Sequence, residues 1–495
     1  MEININKHNI AVLKTKREAL YSHTFTNLLN MKEMNTIIKS TNILVIAILI
    51  GLILFCNPVF SQKYGSADTT SVGLLEHSHI VKELEDLLNK DSEMEKALLA
   101  SLNVAVKSAK NNLNKDLYKV TDRVFQGNGW PITINAYLNY LELYARLIPN
   151  EKNDPQYPDG WKSNGKQNGY NQKVYDLLCQ FYWLVNQELP ASSQTMQSFE
   201  EFASWLDKFA KTWGTFLDTK ASLTKETLNS FKYDPMYNFP LYADSQKSWD
   251  TFNQFFYREF NQSAEGTGIT PLRPIAEPTN NQTIVAPADC TFKKDYLIDD
   301  FGNVLDENGN ETTITFKKTH TIGTVADILG GSSYAKDFYG GTFVHYFLSP
   351  FDYHRFHTSV GGKVVKIEAV QSKVYLDVNI TDDGQWDAPD GGENGYEFTQ
   401  SRGIIILDAG PVVGKIAIIP IGMAQVSGVD MYTKLEGKTV QKGQEFGKFR
   451  FGGSDIILLF ENTPNLYLFK KDPSHKPIHF QYGQTVSYWN YTSED

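Results

Sequence analysis

Cysteine is scarce in this chain: three residues, Cys56, Cys179 and Cys290, among 495. That excludes a disulfide framework, and no Cys/His spacing of the zinc-binding kind accompanies them, so no metal is expected. A basic excess is also missing, with 47 Lys and Arg against 57 Asp and Glu and a net charge of −10. Without an uncompensated positive field, the charge argues against general affinity for nucleic acid or anionic lipid, and no nucleic-acid partner is expected. Nor does any apolar run reach the roughly 20 residues of a bilayer-spanning helix. The longest candidate, Ile43 to Phe55, has 13. What the chain does have is 41% hydrophobic and 13% aromatic residues, enough for two or three buried cores and too apolar for disorder.

The run at 43–55 follows Lys32 and Lys39 and is followed by CNPVFSQ, a signal-peptide pattern with small side chains at Val59 and Ser61. Residues 1–61 are therefore read as a targeting segment, a cleaved signal in preference to a permanent anchor, with Met31 or Met34 giving a conventional short leader. Phe55 is bulky where a lipoprotein signal needs a small residue, which argues against a lipid anchor on Cys56. The expected location is exported, periplasmic or secreted, or membrane-tethered through residues 43–61. A polar linker over 62–74 follows.

From 75 to about 240 the periodicity is helical. Ile80, Leu84, Leu87 and Leu88 recur at helical spacing, and Ser92 with Glu95 forms a capping-box pattern ahead of Met94, Leu98, Leu102 and Val106. Further helices are expected at 136–148, 174–185 and 199–217, the last with Phe202, Leu206, Phe209 and Trp213 on one stripe. These stripes carry no polar groups aimed at a ligand and read as core, with Cys179 a small buried hydrophobe within one of them.

Beyond about Thr283 short β-rich runs alternate with Gly, Asp and Asn clusters: TIVAPA, CTFKKDYLI, ETTITFKK, GTFVHYFL, GKVVKIEAV, KVYLDVNI, GIIILDA, KIAIIPI and DIILLFE. The fold class is α+β, a helical N-terminal domain over 75–240 followed by a β-rich domain over 241–495. Two acidic, Gly-rich stretches, 299–311 and 381–395, lack the calcium-loop pattern and read as hairpin turns or surface loops.

Chemistry concentrates in three segments of the β-rich half: APADCTF with Asp289, FLSPFDYHRFHTSVGGKV with His354 and His357, and KGQEFGKFRFGGSDIILLFE with Gly453 and Ser454. Alone, each is weak, since an Asp at a strand end often forms a turn and GGS is often a loop. Together and in this order they resemble the phosphatidylserine decarboxylase family. YHRFH (353–357) and FGGS (451–454), preceded by GKF (447–449), are the most specific of the matching motifs. The likeness spans roughly Trp249 to Phe460 and includes FNQFFYREF (252–260) and LRPI (272–275). The helical region, with TWGTFLDTK at 212–220, is more like the extra domain of the branch containing fungal tryptophan decarboxylases.

This resemblance implies a self-cleaving, pyruvoyl-dependent decarboxylase that cuts between Gly453 and Ser454, with the chain 454–495 as a partner of the upstream part. The residues suit that chemistry: a serine hydroxyl becomes nucleophilic when a histidine takes its proton and a carboxylate fixes the histidine's tautomer. Ser454, His357 and Asp289 fit those roles, and glycine at 453 permits a strained turn. The covalent pyruvoyl group derived from Ser454 would be the sole organic cofactor, forming a Schiff base with a substrate amine as CO2 leaves. By resemblance His354 serves proton transfer on the substrate and His357 the processing stage, and a structural hydrogen bond is the alternative for either. His320, His345, His475 and His479 lie outside the motifs and are given no role.

Two substrate classes stay open, a free amino acid, aromatic ones included, and phosphatidylserine with its membrane contact. The extra helical domain and a TSVGG loop without an apolar wedge favour the first; APADC keeps the pattern of the phospholipid enzymes. A reading of another class is an unprocessed secreted binding module, because GKTVQKGQEFGKFRFGG resembles the hairpins of lipoyl- or biotinyl-type barrels.

Overall fold

The computed structural model describes residues 77–489 apart from 153, 158–159, 162–171, 190–193, 233, 243–248, 261–272, 306–308, 310–313, 317–319, 371–373, 375, 389–399, 424–427 and 463–465. The targeting segment and linker expected over 1–74 lie outside the described residues. Helices come first, His79–Lys90, Ser92–Asn112, Lys115–Val124, Ile134–Tyr144, Lys173–Val185, Glu200–Leu217, Lys225–Lys232 and Phe252–Phe256, and strands dominate from Thr283 onward. Residues Leu74–Asp495 group as one compact unit, so the helical and β-rich regions share a body.

The helices form where the apolar period is 3.6. Ile80, Val81, Leu84 and Leu88 are buried on the first, and Phe202, Leu206, Phe209 and Trp213 all lie on the buried face of Glu200–Leu217. The capping box expected from Ser92 and Glu95 is replaced by a simple cap: Asp91 is the N-cap, and its carboxylate accepts from the Glu93 and Met94 amides at 2.9 and 3.0 Å. An ionised side chain is the stronger acceptor there, favoured further by the helix dipole. Aromatic rings fill the helical core, among them Tyr144 against Phe181 at 4.7 Å and Trp213 edge-on to Tyr144 at 5.3 Å.

The β-rich region is built on an eight-stranded antiparallel sheet in the order Thr439–Val440, Gly362–Val370, Arg402–Asp408, Lys415–Met423, Gly453–Phe460, Thr342–Leu348, Cys290–Leu297, His479–Phe480. The central strand Gly453–Phe460 alternates between two cores. Ile456, Leu458 and Phe460 join the core shared with the helical region, while Ile457 and Leu459 join a separate cluster with Phe338, Phe343, Ile404 and Ile419. A three-stranded sheet, Val429–Met431 with Glu445–Phe449 with Arg355–His357, carries the end of YHRFH and delivers the chain to FGGS. In the acidic stretch at 381–395, residues 381–385 form the turn of a small hairpin between Asn379–Ile380 and Trp386–Asp387. Among the described residues no cluster of acidic, His or Cys side chains has metal-binding geometry, and no helix is long and apolar enough to cross a membrane.

Candidate active site

Ser454 is the second residue of the central strand, paired with Leu348 on one side and Gly422 on the other. It is fully buried, and its Oγ has no hydrogen-bond partner among the described residues. A buried hydroxyl left unsatisfied costs roughly 1–3 kcal/mol, so its retention here calls for a role other than stability. Two residues upstream, Gly452 has φ +154°, a conformation that a β-carbon would strain. The chain thus enters the strand through a glycine-dependent bend.

The upstream side of this bend is held separately. The Phe451 amide donates to Asn253 Oδ1 at 3.0 Å, and its ring meets Trp213, Phe252 and Phe256 edge-on at 5.0–5.5 Å. His354 stacks on the other side of Phe256 at 3.8 Å. It is fully buried, and neither ring nitrogen makes a well-formed hydrogen bond; the backbone of Asp352 is the polar group that faces it. Burial first, and then the Arg258 guanidinium, hold its pKa well below the usual range, so the ring is neutral near pH 7. Arg258, itself buried, donates to the carbonyls of Phe351 and Asp352 at 2.5 and 3.3 Å and so braces the turn leading into YHRFH.

His357 has both nitrogens engaged. Its Nδ1 lies 2.9 Å from the Gly443 carbonyl, which can only accept, so Nδ1 carries the proton and Nε2 accepts from the Tyr353 hydroxyl at 3.1 Å. Tyr482 stacks on the ring at 3.9 Å and sends its own hydroxyl to Gly443 at 2.9 Å. Burial pushes the His357 pKa down to about 4.

Asp289 sits elsewhere than the sequence logic suggested. Its two oxygens form a bidentate pair with Arg273 at 3.0 Å each, and Oδ1 also accepts the Tyr482 amide at 2.8 Å. It makes no hydrogen bond to His357, whose tautomer is fixed by the Gly443 carbonyl instead, and neither imidazole hydrogen-bonds Ser454 Oγ. The physical reason is that a guanidinium fork matches a carboxylate far better than one imidazole N–H. Tyr482 links Asp289 to His357, stacking on the imidazole and donating its amide to the carboxylate.

Two histidines given no role from sequence have polar partners. His345 Nε2 lies 3.1 Å from Asp455, both fully buried, on the sheet face opposite Ser454; His479 bridges Thr291 at 3.0 Å and Asp352 at 3.4 Å. Sequence reasoning also passed over Asn253, Arg273 and Tyr353, although FNQFF, LRPI and YHRFH contain them.

Comparison with known proteins adds to this geometry. The family model described as phosphatidylserine decarboxylase matches residues 252–488. The phosphatidylserine decarboxylase proenzyme of Myxococcus xanthus is 30% identical over 235 residues, 44% of this chain and 71% of that protein. Phosphatidylserine decarboxylase proenzyme 3 of Schizosaccharomyces pombe is 34% identical over 222 residues, but the match spans 45% of this chain and only 20% of that larger protein. A protein named decarboxylase iboD from Amanita muscaria is 26% identical over 280 residues, covering 50% of this chain and 73% of its own length.

Proposed function

Because the chain belongs to the phosphatidylserine decarboxylase family, whose members are pyruvoyl-dependent carboxy-lyases, we propose that it cuts itself at Gly453–Ser454 and decarboxylates an amino-acid substrate. The observation that carries this reading is the buried, unpartnered Ser454 hydroxyl beside a glycine-dependent bend in an otherwise well-paired strand. A pyruvoyl group formed at Ser454 fits this place, since it would start a strand already held by Leu348 and Gly422 without help from the upstream chain.

In the processing stage Ser454 Oγ adds to the Gly453 carbonyl carbon, and its proton passes to Nε2 of neutral His357, which gives up the Tyr353 hydroxyl to receive it. The Gly453–Ser454 C–N bond then breaks, the nitrogen takes up a proton, and an ester replaces the amide. Loss of the Ser454 Cα proton with cleavage of the Cβ–O bond releases the upstream chain as the Gly453 carboxylate and leaves dehydroalanine. Water adds, ammonia departs, and a pyruvoyl terminus remains. That group supplies an electron-accepting carbonyl for an amine substrate, as pyridoxal phosphate does in other enzymes. Around it, Phe256 and Phe451 exclude water, and neutral His354 moves a proton at the substrate carbon that loses CO2.

For the substrate we favour a free amino acid, aromatic ones first. Rings of Phe252 and Phe256 pack edge-on against Phe451, three residues before Ser454, and Trp213 of the helical region meets the same ring. The second reading, phosphatidylserine, is favoured by the names of the relatives. Release of CO2 from single amino acids, compared with phosphatidylserine vesicles, separates the two; turnover of vesicles alone would reject the first. Export, or tethering through residues 43–61, is part of the same proposal, and N-terminal sequencing of the purified protein tests it.

A further inference from the structure

Asp218 is the residue that ends the helix Glu200–Leu217, in the part of the chain outside the family match. Its Oδ1 accepts from Asn253 Nδ2 at 3.0 Å, and its Oδ2 pairs with the Arg450 guanidinium. Asn253, fully buried, also donates to the Gly214 carbonyl at 3.2 Å, so three contacts fix which way its amide points. The third is the acceptance of the Phe451 N–H at 3.0 Å by Oδ1. Arg450 is held from the other side by Asp430 at 3.1 Å and through its own amide by the Gly428 carbonyl at 3.0 Å. Trp213, one turn before Asp218, meets the Phe451 ring at 5.5 Å. Arg450 and Phe451, next upstream of the two glycines, are therefore both fastened, and part of that fastening runs to the helical region.

The two sides of Gly453–Ser454 are thus gripped by different structures. Ser454 is fixed downstream by the sheet, through Leu348 and Gly422. Phe451 and Arg450 are fixed upstream by Asn253 and Asp218, Gly453 is already paired with Met423 at the start of the strand, and Gly452, with its φ of +154°, lies between the two grips. Attack within one residue requires the Gly453 carbonyl carbon to be presented to a hydroxyl on the adjoining residue, and a presentation error of about 1 Å can cost roughly a hundredfold in rate.

We propose that the Asp218–Asn253 pair is a positioning device for self-cleavage: the helical region orients the Gly453 carbonyl for attack by Ser454. It rests on the self-cleavage reading and adds to it a role for a part of the chain that lies outside the matched domain. Neither residue touches the reacting atoms; each acts through Arg450 and Phe451. Asp218 is about one-third exposed, so its replacement disturbs little packing, whereas Asn253 is buried.

The test is the rate at which cell-free translated full-length chain becomes two chains, for wild type, Asp218→Ala and Asn253→Ala. Thermal unfolding of each substitution is measured in the uncut Ser454→Ala background. The expected result is cleavage slowed roughly ten- to a hundredfold in both variants, with unfolding midpoints of the Asp218→Ala chain close to the parent. Asp218→Asn, which keeps the acceptor for Asn253 and loses the charge facing Arg450, should recover part of the rate. Wild-type cleavage rates in both alanine variants would overturn the inference and leave self-cleavage standing. So would slow cleavage that only parallels a lowered midpoint, because the residues would then act on folding. A wild-type chain that never cuts refutes the self-cleavage reading itself.

Discussion

At one end of the large sheet Leu348, Ser454 and Gly422 lie abreast, fully buried, with the helical region fastened to the chain beside them through Trp213 and Asp218. At the other end Leu297, Thr342, Phe460 and Ile416 lie abreast, and the neighbouring Leu297, Phe301 and Val412 are 67%, 80% and 56% exposed. Six residue steps of extended strand separate the two rows, about 20 Å. The end proposed to carry the chemistry is the one where aromatic rings pack on Phe451, and Leu297, Phe301 and Val412 lie at the other. A lipid substrate drawn from a membrane would want the chemistry and exposed apolar side chains at one end; a small free amino acid needs only the buried one.

The largest effects should come from the buried end. Ser454→Ala removes the nucleophile and is expected to give a folded, uncut chain without CO2 release, whereas Ser454→Cys should cut slowly and form little pyruvoyl group. Hydroxylamine should cleave the ester in wild type or the thioester in the Cys variant and leave the Ala variant intact. Decarboxylation by uncut Ser454→Ala at the wild-type rate would remove the basis for contrasting the ends.

The two histidines divide the work in the next prediction. His357→Ala should remain uncut; His354→Ala should cut at least in part and decarboxylate poorly. Gel analysis set against CO2 release reads both, and equal cleavage defects would show that no such division exists. The geometry behind it is specific: His357 has a fixed tautomer and a hydroxyl on Nε2, whereas His354 lies against Phe256 with neither nitrogen well bonded.

Much of this contrast was legible in the sequence. FGGS and YHRFH are local motifs, and strands such as Thr342–Leu348 and Lys415–Met423 announce themselves as apolar runs. The covering helix Glu200–Leu217 follows from its stripe of Phe202, Leu206, Phe209 and Trp213. What stayed hidden are the pairings that need tertiary structure. Nothing in LRPI says that Arg273 will take both oxygens of Asp289, and 198 residues separate Asn253 from the Phe451 amide it accepts. Choosing Ser92 over Asp91 as the helix cap failed for a smaller reason, a one-residue shift in which two good capping residues stand side by side.

A smaller effect is expected from pH. Burial lowers the folded-state pKa of His357 from 6.5 to about 4, so between those values the unfolded chain binds a proton that the folded chain refuses. Stability should therefore be complete above about pH 6.5 and fall as pH drops toward 4, by up to about 3 kcal/mol from this group. Urea unfolding of the uncut Ser454→Ala chain at pH 7 and pH 4.5 measures the loss, and adding His357→Gln should shrink it. An unchanged loss would assign the pH dependence to other groups.

The smallest effect belongs to the far end. Leu297→Ser, Phe301→Ser and Val412→Ser, singly or together, should alter stability by less than about 0.5 kcal/mol each and leave both cleavage and CO2 release from a free amino acid unchanged. If the triple variant instead lost activity toward phosphatidylserine vesicles, the far end would be a lipid-docking surface and the separation of the two ends would have to be reread.

Intact-mass analysis of purified wild-type protein tests the central claim most directly. Self-cleavage predicts two chains, the smaller comprising residues 454–495 with an N-terminus blocked to sequencing and a mass lowered by conversion of serine to pyruvoyl. A preparation that releases CO2 from its substrate while containing only the intact chain would contradict it.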